Sequence, residues 1–530
     1  MTRRGLLTAA GIIAIASIAS KGLGFVREAT LADRFGASFA TDAYLAALIV
    51  PSVLFSVVVG AVGTTFIPVY TERARQDRQQ ALRMTNSLLN LSLLMSLVLG
   101  VVGYAFTPAL VHLFVPGFSG PVLAVTVQLT RLMLPLMLLT AASTLITSFL
   151  QANQHFAAPA LAGPAQNLII IAAILLLSHR FGIAGVAVGT VLAAAAQILV
   201  QWAPLGRLGF QYQAVIALDD EALRRVGRLA VPVLLAGAVG QLGTVVDRML
   251  ASRLVEGSIS ALNYANKLFA FPLGIFVTAL TTVLYPTLSA HAARRDGAAV
   301  LGVFRRGFNI ISLMVMPMMT GLIVLAGPVV RAVYQRGAFD ANATRLTSFA
   351  VIFFSVGMLA SAARDLLSRV FFAQQDTTTP MLIGVISVAL NILLNFALIG
   401  PLAQGGLALS LSLTAAFGAG AMLVALRRKL GPLGGREMAV TLLKAALASA
   451  VMAVAALLAQ SLASRWFPGA GALRAATRLG SVIALGGVVY LGVLWPLRVP
   501  ELEEAVRLVA RLATRAVASA WRRLSLTFRH

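Results

Sequence analysis

Apolar residues in this chain run together for stretches of 20 or more, broken by short polar clusters, a spacing that fits helices crossing a bilayer rather than the striped helices of a soluble domain. Marking the breaks at charges, prolines and glycines predicts about fourteen apolar helices. Two sets of six run near 6–33, 42–69, 84–115, 123–152, 159–179 and 183–205, then near 225–253, 260–289, 305–335, 344–373, 379–400 and 405–427. Two more follow near 438–464 and 474–496. The expected fold class is all-α and polytopic, with lobes at 1–210 and 211–430, two additional helices within 431–497 and a tail at 498–530.

The second set is a weak copy of the first, offset by roughly 220 residues. Phe114-Val115-Pro116-Gly117-Phe118 answers Tyr334-Gln335-Arg336-Gly337-Ala338-Phe339, and Phe149-Leu150-Gln151-Ala152-Asn153 answers Phe371-Phe372-Ala373-Gln374-Gln375. Leu23-Gly24 and Glu28 match Leu242-Gly243 and Asp247, and Phe66-Ile67-Pro68 matches Leu284-Tyr285-Pro286. Six is an even number, so both lobes start from the same membrane face and the repeats are expected to be parallel. Paired lobes of this kind are the usual build of a secondary transporter, with its substrate site near the bilayer midplane.

Composition agrees, since 59% of residues are hydrophobic and only 11% charged, with a mean hydropathy of +0.89. The net charge of +24 would suit nucleic acid, but its distribution follows the positive-inside rule instead. Arg3 and Arg4, Arg73 to Arg83, Arg224 to Arg228, Arg294 to Arg306, and Arg427 to Lys429 fall in alternate loops. Those loops and both termini are therefore expected in the cytoplasm, although Arg331, Arg336 and Arg345 weaken the pattern at one outer loop. The basic, apolar N-terminus has the look of a signal peptide, but its apolar run continues into the first repeat and is expected to be retained. Cysteine is absent, which removes disulfides and thiolate chemistry. The tail from Glu501 to His530 sets Arg507, Arg511 and Arg515 opposite Leu502, Val506 and Leu512. It reads as an amphipathic helix on anionic lipid, with docking to a partner as the alternative.

No hydrolytic, kinase or dinucleotide motif occurs in its required setting, and the five histidines are scattered, so no enzyme is expected. The informative residues are ionisable groups inside apolar spans, which are costly unless they face a partner or a water-filled cavity. Lys21, Arg27 and Glu28 sit in the first span beside Gly22 and Gly24. On a regular helix the two cations point some 120° apart, and a glycine break would aim both at one cavity. Asp42 opens the second span, where it or Thr41 could cap the helix N-terminus. Lys267 lies on the matching helix of the second lobe. Together Lys21, Arg27 and Lys267 make an electropositive interior suited to an anion. Asp247 lies among apolar residues, and Asn391 and Asn395 stand one turn apart on another span. A carboxylate and stacked amide oxygens suit a small cation, while the plainer reading has the asparagines bonding between helices.

Several stretches carry a resemblance: Leu23-Gly24-Phe25-Val26-Arg27-Glu28, Ala40-Thr41-Asp42-Ala43-Tyr44, Pro116-Gly117-Phe118, Tyr285-Pro286-Thr287-Leu288-Ser289, Asp376-Thr377-Thr378-Thr379-Pro380 and Asn395-Phe396-Ala397-Leu398-Ile399-Gly400-Pro401. In order and spacing the chain resembles the MurJ/MviN family of the multidrug/oligosaccharidyl-lipid/polysaccharide flippase superfamily over essentially its whole length. The resemblance implies a flippase that carries lipid II, the undecaprenyl-pyrophosphate-linked peptidoglycan precursor, from the inner to the outer leaflet of the bacterial cytoplasmic membrane. It implies that Lys21, Arg27, Asp42 and Lys267 occupy sensitive cavity positions. Lys21 and Lys267 stand where arginine is usual, Glu28 where aspartate is usual and Asn266 where an acid is common, and the arginine usual after Pro51 is missing. Lysine keeps the charge but not the two-pronged grip on phosphate.

The expected substrate-binding set is therefore Lys21, Arg27, Glu28, Asp42 and Lys267, with Asp247, Asn391 and Asn395 as a cation-coupling set. No cofactor is expected beyond a coupling cation or the membrane potential. Expected partners are lipid II, membrane lipids and peptidoglycan-synthesis proteins, without nucleic acid. The competing readings are a flippase for another polyprenyl-linked glycan, a multidrug exporter of the same superfamily, and a non-transporting scaffold for wall synthesis. Drug export favours an acidic, aromatic cavity, against the three cations.

Overall fold

The computed structural model describes residues 3–59, 62–466 and 472–501. The amphipathic tail expected after Glu501 lies outside the described residues. Within them the chain is all-helical, without a strand. Among the described residues, ten helices are long and apolar enough to cross a membrane, or eleven if the pair Ala341–Val356 and Met358–Ala373, bent by 46°, forms one span. The chain is thus a polytopic membrane protein, and this count falls short of the fourteen expected. One reason is that Thr378–Leu430 runs 53 residues and is interrupted at Ala403, where φ is 46°, two residues after Pro401. At 1.5 Å per residue such a run is far longer than a hydrocarbon core of about 30 Å.

Three aspartates start helices next to the arginine-rich loops. Asp77 accepts the amides of Gln79 and Gln80 at the head of Arg78–Ala105, Asp220 that of Ala222 at the head of Glu221–Ala251, and Asp296 that of Ala299 at the head of Gly297–Val324. Each carboxylate satisfies amides that have no partner inside the helix and meets the positive end of the helix dipole. Within the spans, many buried hydroxyls bond to the carbonyl four residues back, as Thr85 does to Ala81, Thr126 to Val122 and Ser312 to Phe308, which satisfies those hydroxyls within their own helix.

The chain forms two compact units. The first comprises the chain up to Phe271, Val333–Phe353 and Gly384–Thr414; the second comprises Pro272–Ala332, Phe354–Ile383 and the chain from Ala415 onward. In the first, Ala157–Leu176 and Ser178–Arg207 pack so closely that a Cβ on Gly189 would lie 2.0 Å from that of Ala173, the close approach that small residues allow between membrane helices. The core of this unit gathers Leu31, Tyr44, Val50, Leu129, Met133, Leu250 and Ile259. In the second, Lys444 on Gly435–Trp466 donates to the carbonyl of Leu497 at 2.7 Å, and Tyr490 donates to the Leu313 carbonyl at 2.7 Å. A pocket of about 830 Å³ beside Lys444 is lined by Arg427, Arg436, Glu437 and Glu501.

Candidate functional site

The functional cluster expected from the charges lies in the first unit. Helix Arg3–Phe35 carries Glu28, which is only 4% exposed. Its Oε1 accepts from Arg27 Nη2 at 2.6 Å and lies 4.0 Å from Lys267 Nζ. Its Oε2 accepts from Asn263 Nδ2 at 3.0 Å. Asn263 and Lys267 are four residues apart on helix Ser258–Pro272, hence on one face, and that face meets the first helix. The carboxylate neutralises one of two cations that would otherwise repel each other, and leaves the cluster net positive. Lys267 and Arg27 keep 45% and 25% of their side chains exposed, so the cluster is open on its cationic side.

The structure brings Arg27, Glu28 and Lys267 together. It does not break the first helix at Gly22 and Gly24: Arg3–Phe35 runs through both. Lys21 consequently stays seven residues, roughly 10 Å, before Glu28, at an exposed position. Its neighbour Ser20 is held by Asn167, whose Nδ2 donates to the Ser20 carbonyl at 3.1 Å. Asn263 was absent from the expected set, although its spacing of one turn from Lys267 was the available signal.

Asp42 has a different task. Its Oδ2 accepts the Gly257 amide at 2.8 Å and its Oδ1 the Ser260 amide at 2.7 Å. It therefore caps a helix, as local sequence allowed, but the helix of the other repeat rather than its own. The exchange is mutual. The amide of Phe39, at the head of Phe39–Ala47, donates to Glu256 Oε1 at 2.9 Å. Each half of the chain thus supplies the carboxylate that receives an end amide of the other half's second span. Nothing in the sequence marked Glu256, because its partner is 217 residues away.

Glycine makes these turns meet backbone to backbone. A Cβ on Gly117 would lie 2.1 Å from the Ser252 carbonyl oxygen, and one on Gly337 2.2 Å from that of Asp33. Gly117 and Gly337 are counterparts in the sequence repeat, and each abuts the turn that ends the first helix of the opposite half. The Gly117 amide donates to Ser252 Oγ at 3.1 Å, and the Ala338 amide to the Asp33 carbonyl at 2.8 Å. Tyr264 and Thr41 both donate to the Gly36 carbonyl, at 3.3 and 2.9 Å. The result is a closure of close-packed turns about nine residues, or roughly 13 Å, along the first helix from Arg27.

The residues expected to couple a cation also converge. Asp247 Oδ1 accepts from Asn395 Nδ2 at 2.5 Å, and the same amide nitrogen is 3.4 Å from Asn391 Oδ1. Asn391 and Asn395 are buried, and Asn391 Nδ2 and Asn395 Oδ1 are enclosed without a protein partner. The Asn395 bond to Asp247 joins two helices, as the plainer reading of the asparagines expected, and the carboxylate and two amide oxygens gathered there are donor types that a monovalent cation takes. Arg248 turns the other way and donates to the Ile259 carbonyl at 3.4 Å.

Comparison with known proteins decides the family. The family model described as "Lipid II flippase MurJ" matches residues 31–477. The chain belongs to the MurJ family. A MurJ lipid II flippase of Burkholderia cenocepacia is 27% identical over 436 residues, covering 80% of this chain and 84% of that protein. A probable MurJ of Vibrio cholerae is 27% identical over 506 residues, covering 92% and 95%. A solved structure titled "Lipid II flippase MurJ, inward closed conformation" superposes with a TM-score of 0.77 at 26% identity, covering 91% of this chain and 97% of that one. An inward-facing multidrug MATE transporter shares the fold, with a TM-score of 0.64 at 13% identity over 79% of this chain and 95% of that one.

Proposed function

We propose that this chain moves lipid II from the inner to the outer leaflet of the bacterial cytoplasmic membrane by alternating access, with both termini in the cytoplasm. The carrying observation is the Arg27, Glu28 and Lys267 cluster, in which cations from both halves meet a buried carboxylate. In the reading we favour, the pyrophosphate of the substrate binds Arg27 and Lys267 while Glu28 keeps them near each other in its absence. A headgroup bound this way ties the two halves, so its arrival and departure change the relative stability of the inward and outward states. The polyprenyl tail is itself lipid-soluble and stays in the bilayer. Lys21, on the same helix, lies on the entry side of the cluster, and Asp42 acts through the closure by holding the start of the Lys267 helix.

The reading includes two six-helix lobes at 1–210 and 211–430, two added helices within 431–497 and fourteen spans in all. It is supported by two further long helices, Arg3–Phe35 and Glu221–Ala251, and by the interruption of Thr378–Leu430 at Ala403. Cytoplasmic placement of the arginine-rich loops is supported by the gathering of arginines in alternate loops. Asp247, Asn391 and Asn395 would hold the coupling cation, whose charge the membrane potential can act on. Peptidoglycan-synthesis proteins belong to the reading as partners through the substrate they share.

The test is a leaflet-specific assay in liposomes containing lipid II. Purified protein is expected to expose lipid II on the opposite leaflet, and Arg27→Ala or Lys267→Ala to abolish this with normal incorporation into the liposomes. Equal transport of lipid II and of polyprenyl-linked glycans without peptide would favour the broader glycan flippase. Full transport by both variants would refute the cluster as the substrate site.

A further inference from the structure

We infer that Phe25 and Phe271 form a platform for the sugar ring that follows the pyrophosphate. The inference rests on the proposed lipid II reading and gives its site a second, uncharged half. Phe25 lies three residues before Glu28, and Phe271 four residues after Lys267, so each ring lies near its charged neighbour's face of the helix. Their ring centroids are 5.1 Å apart, with planes tilted by 40°. Behind them stands a buried aromatic group. Phe25 is 6.3 Å from Tyr334, and Tyr334 packs on Tyr264 and Phe339 at 5.0 and 5.7 Å. Tyr264, Tyr334 and Phe339 are essentially fully buried, whereas Phe271 is 37% exposed and Phe25 is half-buried. The outer rings are thus backed by buried ones, and Phe25 and Phe271 keep exposed surface, as Lys267 and Arg27 do.

A pyranose ring has one face of C–H groups and a rim of polar groups. The face suits an aromatic ring, which offers a flat apolar area without losing side-chain freedom when it is already packed. The rim needs donors and acceptors, and the amide of Asn266 is exposed next to Lys267. Asn263, by contrast, is engaged with Glu28. The first sugar of a lipid-linked glycan is bonded directly to the pyrophosphate, so an anion held by Arg27 and Lys267 must place that sugar beside these side chains. The cations read the phosphate and the rings read the sugar.

The experiment measures binding of two probes to the full-length protein in detergent: undecaprenyl pyrophosphate, which lacks sugar, and lipid II. The variants are Phe271→Leu, Phe25→Leu and Phe271→Trp, with Lys267→Ala as the phosphate control. Either leucine variant is expected to weaken lipid II binding about tenfold, the change produced by about 1.4 kcal/mol, while binding of the sugar-free probe changes less than twofold. Phe271→Trp is expected to hold lipid II near the wild-type level, which a requirement for phenylalanine packing alone would not allow. Lys267→Ala is expected to weaken both probes. Parallel loss of both probes in the leucine variants, or no loss of either, overturns the sugar platform while leaving the flippase reading intact. A wild-type protein that binds neither probe overturns both.

Discussion

Removing the Asp42 carboxylate should unlatch the closure without touching the cations. In the closed arrangement both of its oxygens receive buried amides, those of Gly257 and Ser260 at 2.8 and 2.7 Å. Asp42→Ala leaves two enclosed donors without a partner, each costing about 1–3 kcal/mol. Partial access of water on relaxation brings the combined loss to roughly 2–4 kcal/mol, a range that also spans the cost of a strong helix cap. In an open state, where water can receive those amides, the loss is small. The closed-to-open ratio therefore falls by about 30- to 1,000-fold. Asp42→Asn keeps one acceptor and should fall between wild type and alanine. The chain lacks cysteine, so a single thiol can report the change. Ser258 is fully buried at the closure and its hydroxyl has no partner, which makes Ser258→Cys a mild reporter. An impermeant thiol reagent added outside intact cells should label this thiol at least ten times faster with Asp42→Ala present. A second reporter, Ser449→Cys, replaces a residue 1% exposed in the other compact unit and should stay unlabelled, which separates opening from unfolding. Equal labelling of Ser258→Cys with and without Asp42→Ala would refute the latch.

The close approach of turns predicts that Gly117→Ala and Gly337→Ala, each placing a Cβ within 2.2 Å of a carbonyl oxygen, will open the same closure, read as faster labelling of Ser258→Cys with unchanged binding of lipid II. At the candidate cation site, Asp247→Asn removes the negative ligand beside Asn395 and should reduce the dependence of transport on sodium, pH or membrane potential more than it reduces lipid II binding; unchanged ion and voltage dependence would exclude Asp247 from coupling. In the second unit, slight burial pushes the Asp376 carboxyl up, but the Lys429 ammonium at 2.8 Å and the Thr379 amide and hydroxyl outweigh it and hold the group below its ordinary value. A lowered carboxylate stabilises the fold above the unfolded value of about 3.9 and ceases to do so as pH falls through the folded value. Lys429→Met should therefore lower thermal stability at pH 7 by less than about 1 kcal/mol, as befits a partly exposed pair, and the difference from wild type should begin to shrink near about pH 4 and be lost as pH falls through the lowered folded value; a difference that stays constant through that range would exclude the ion pair as its source.

The bilayer makes much of this protein legible in one dimension. A hydrocarbon layer accepts only segments that satisfy their own backbone, so long apolar runs had to become helices, and arginines had to gather in alternate loops. The sequence repeat identified Gly117 and Gly337 as counterparts before either had a structural partner. Charges inside spans singled out Arg27, Glu28, Lys267 and Asp247, because burial of an ion demands an explanation. What each charge does was decided by partners far along the chain. Asp42 looked like a cap for its own helix, since capping chemistry is local, and only packing showed that it serves Gly257 and Ser260. Glu256 was invisible because an isolated acid in a turn has no pattern until Phe39 is brought to it. Gly22 and Gly24 suggested a break in the first helix, yet Arg3–Phe35 runs on through both and keeps Lys21 about two turns before Glu28. The sequence by itself determined where helices and charges fall, because solvation acts residue by residue; the tertiary structure alone decided which charges meet, because that depends on the register between helices far apart in the chain.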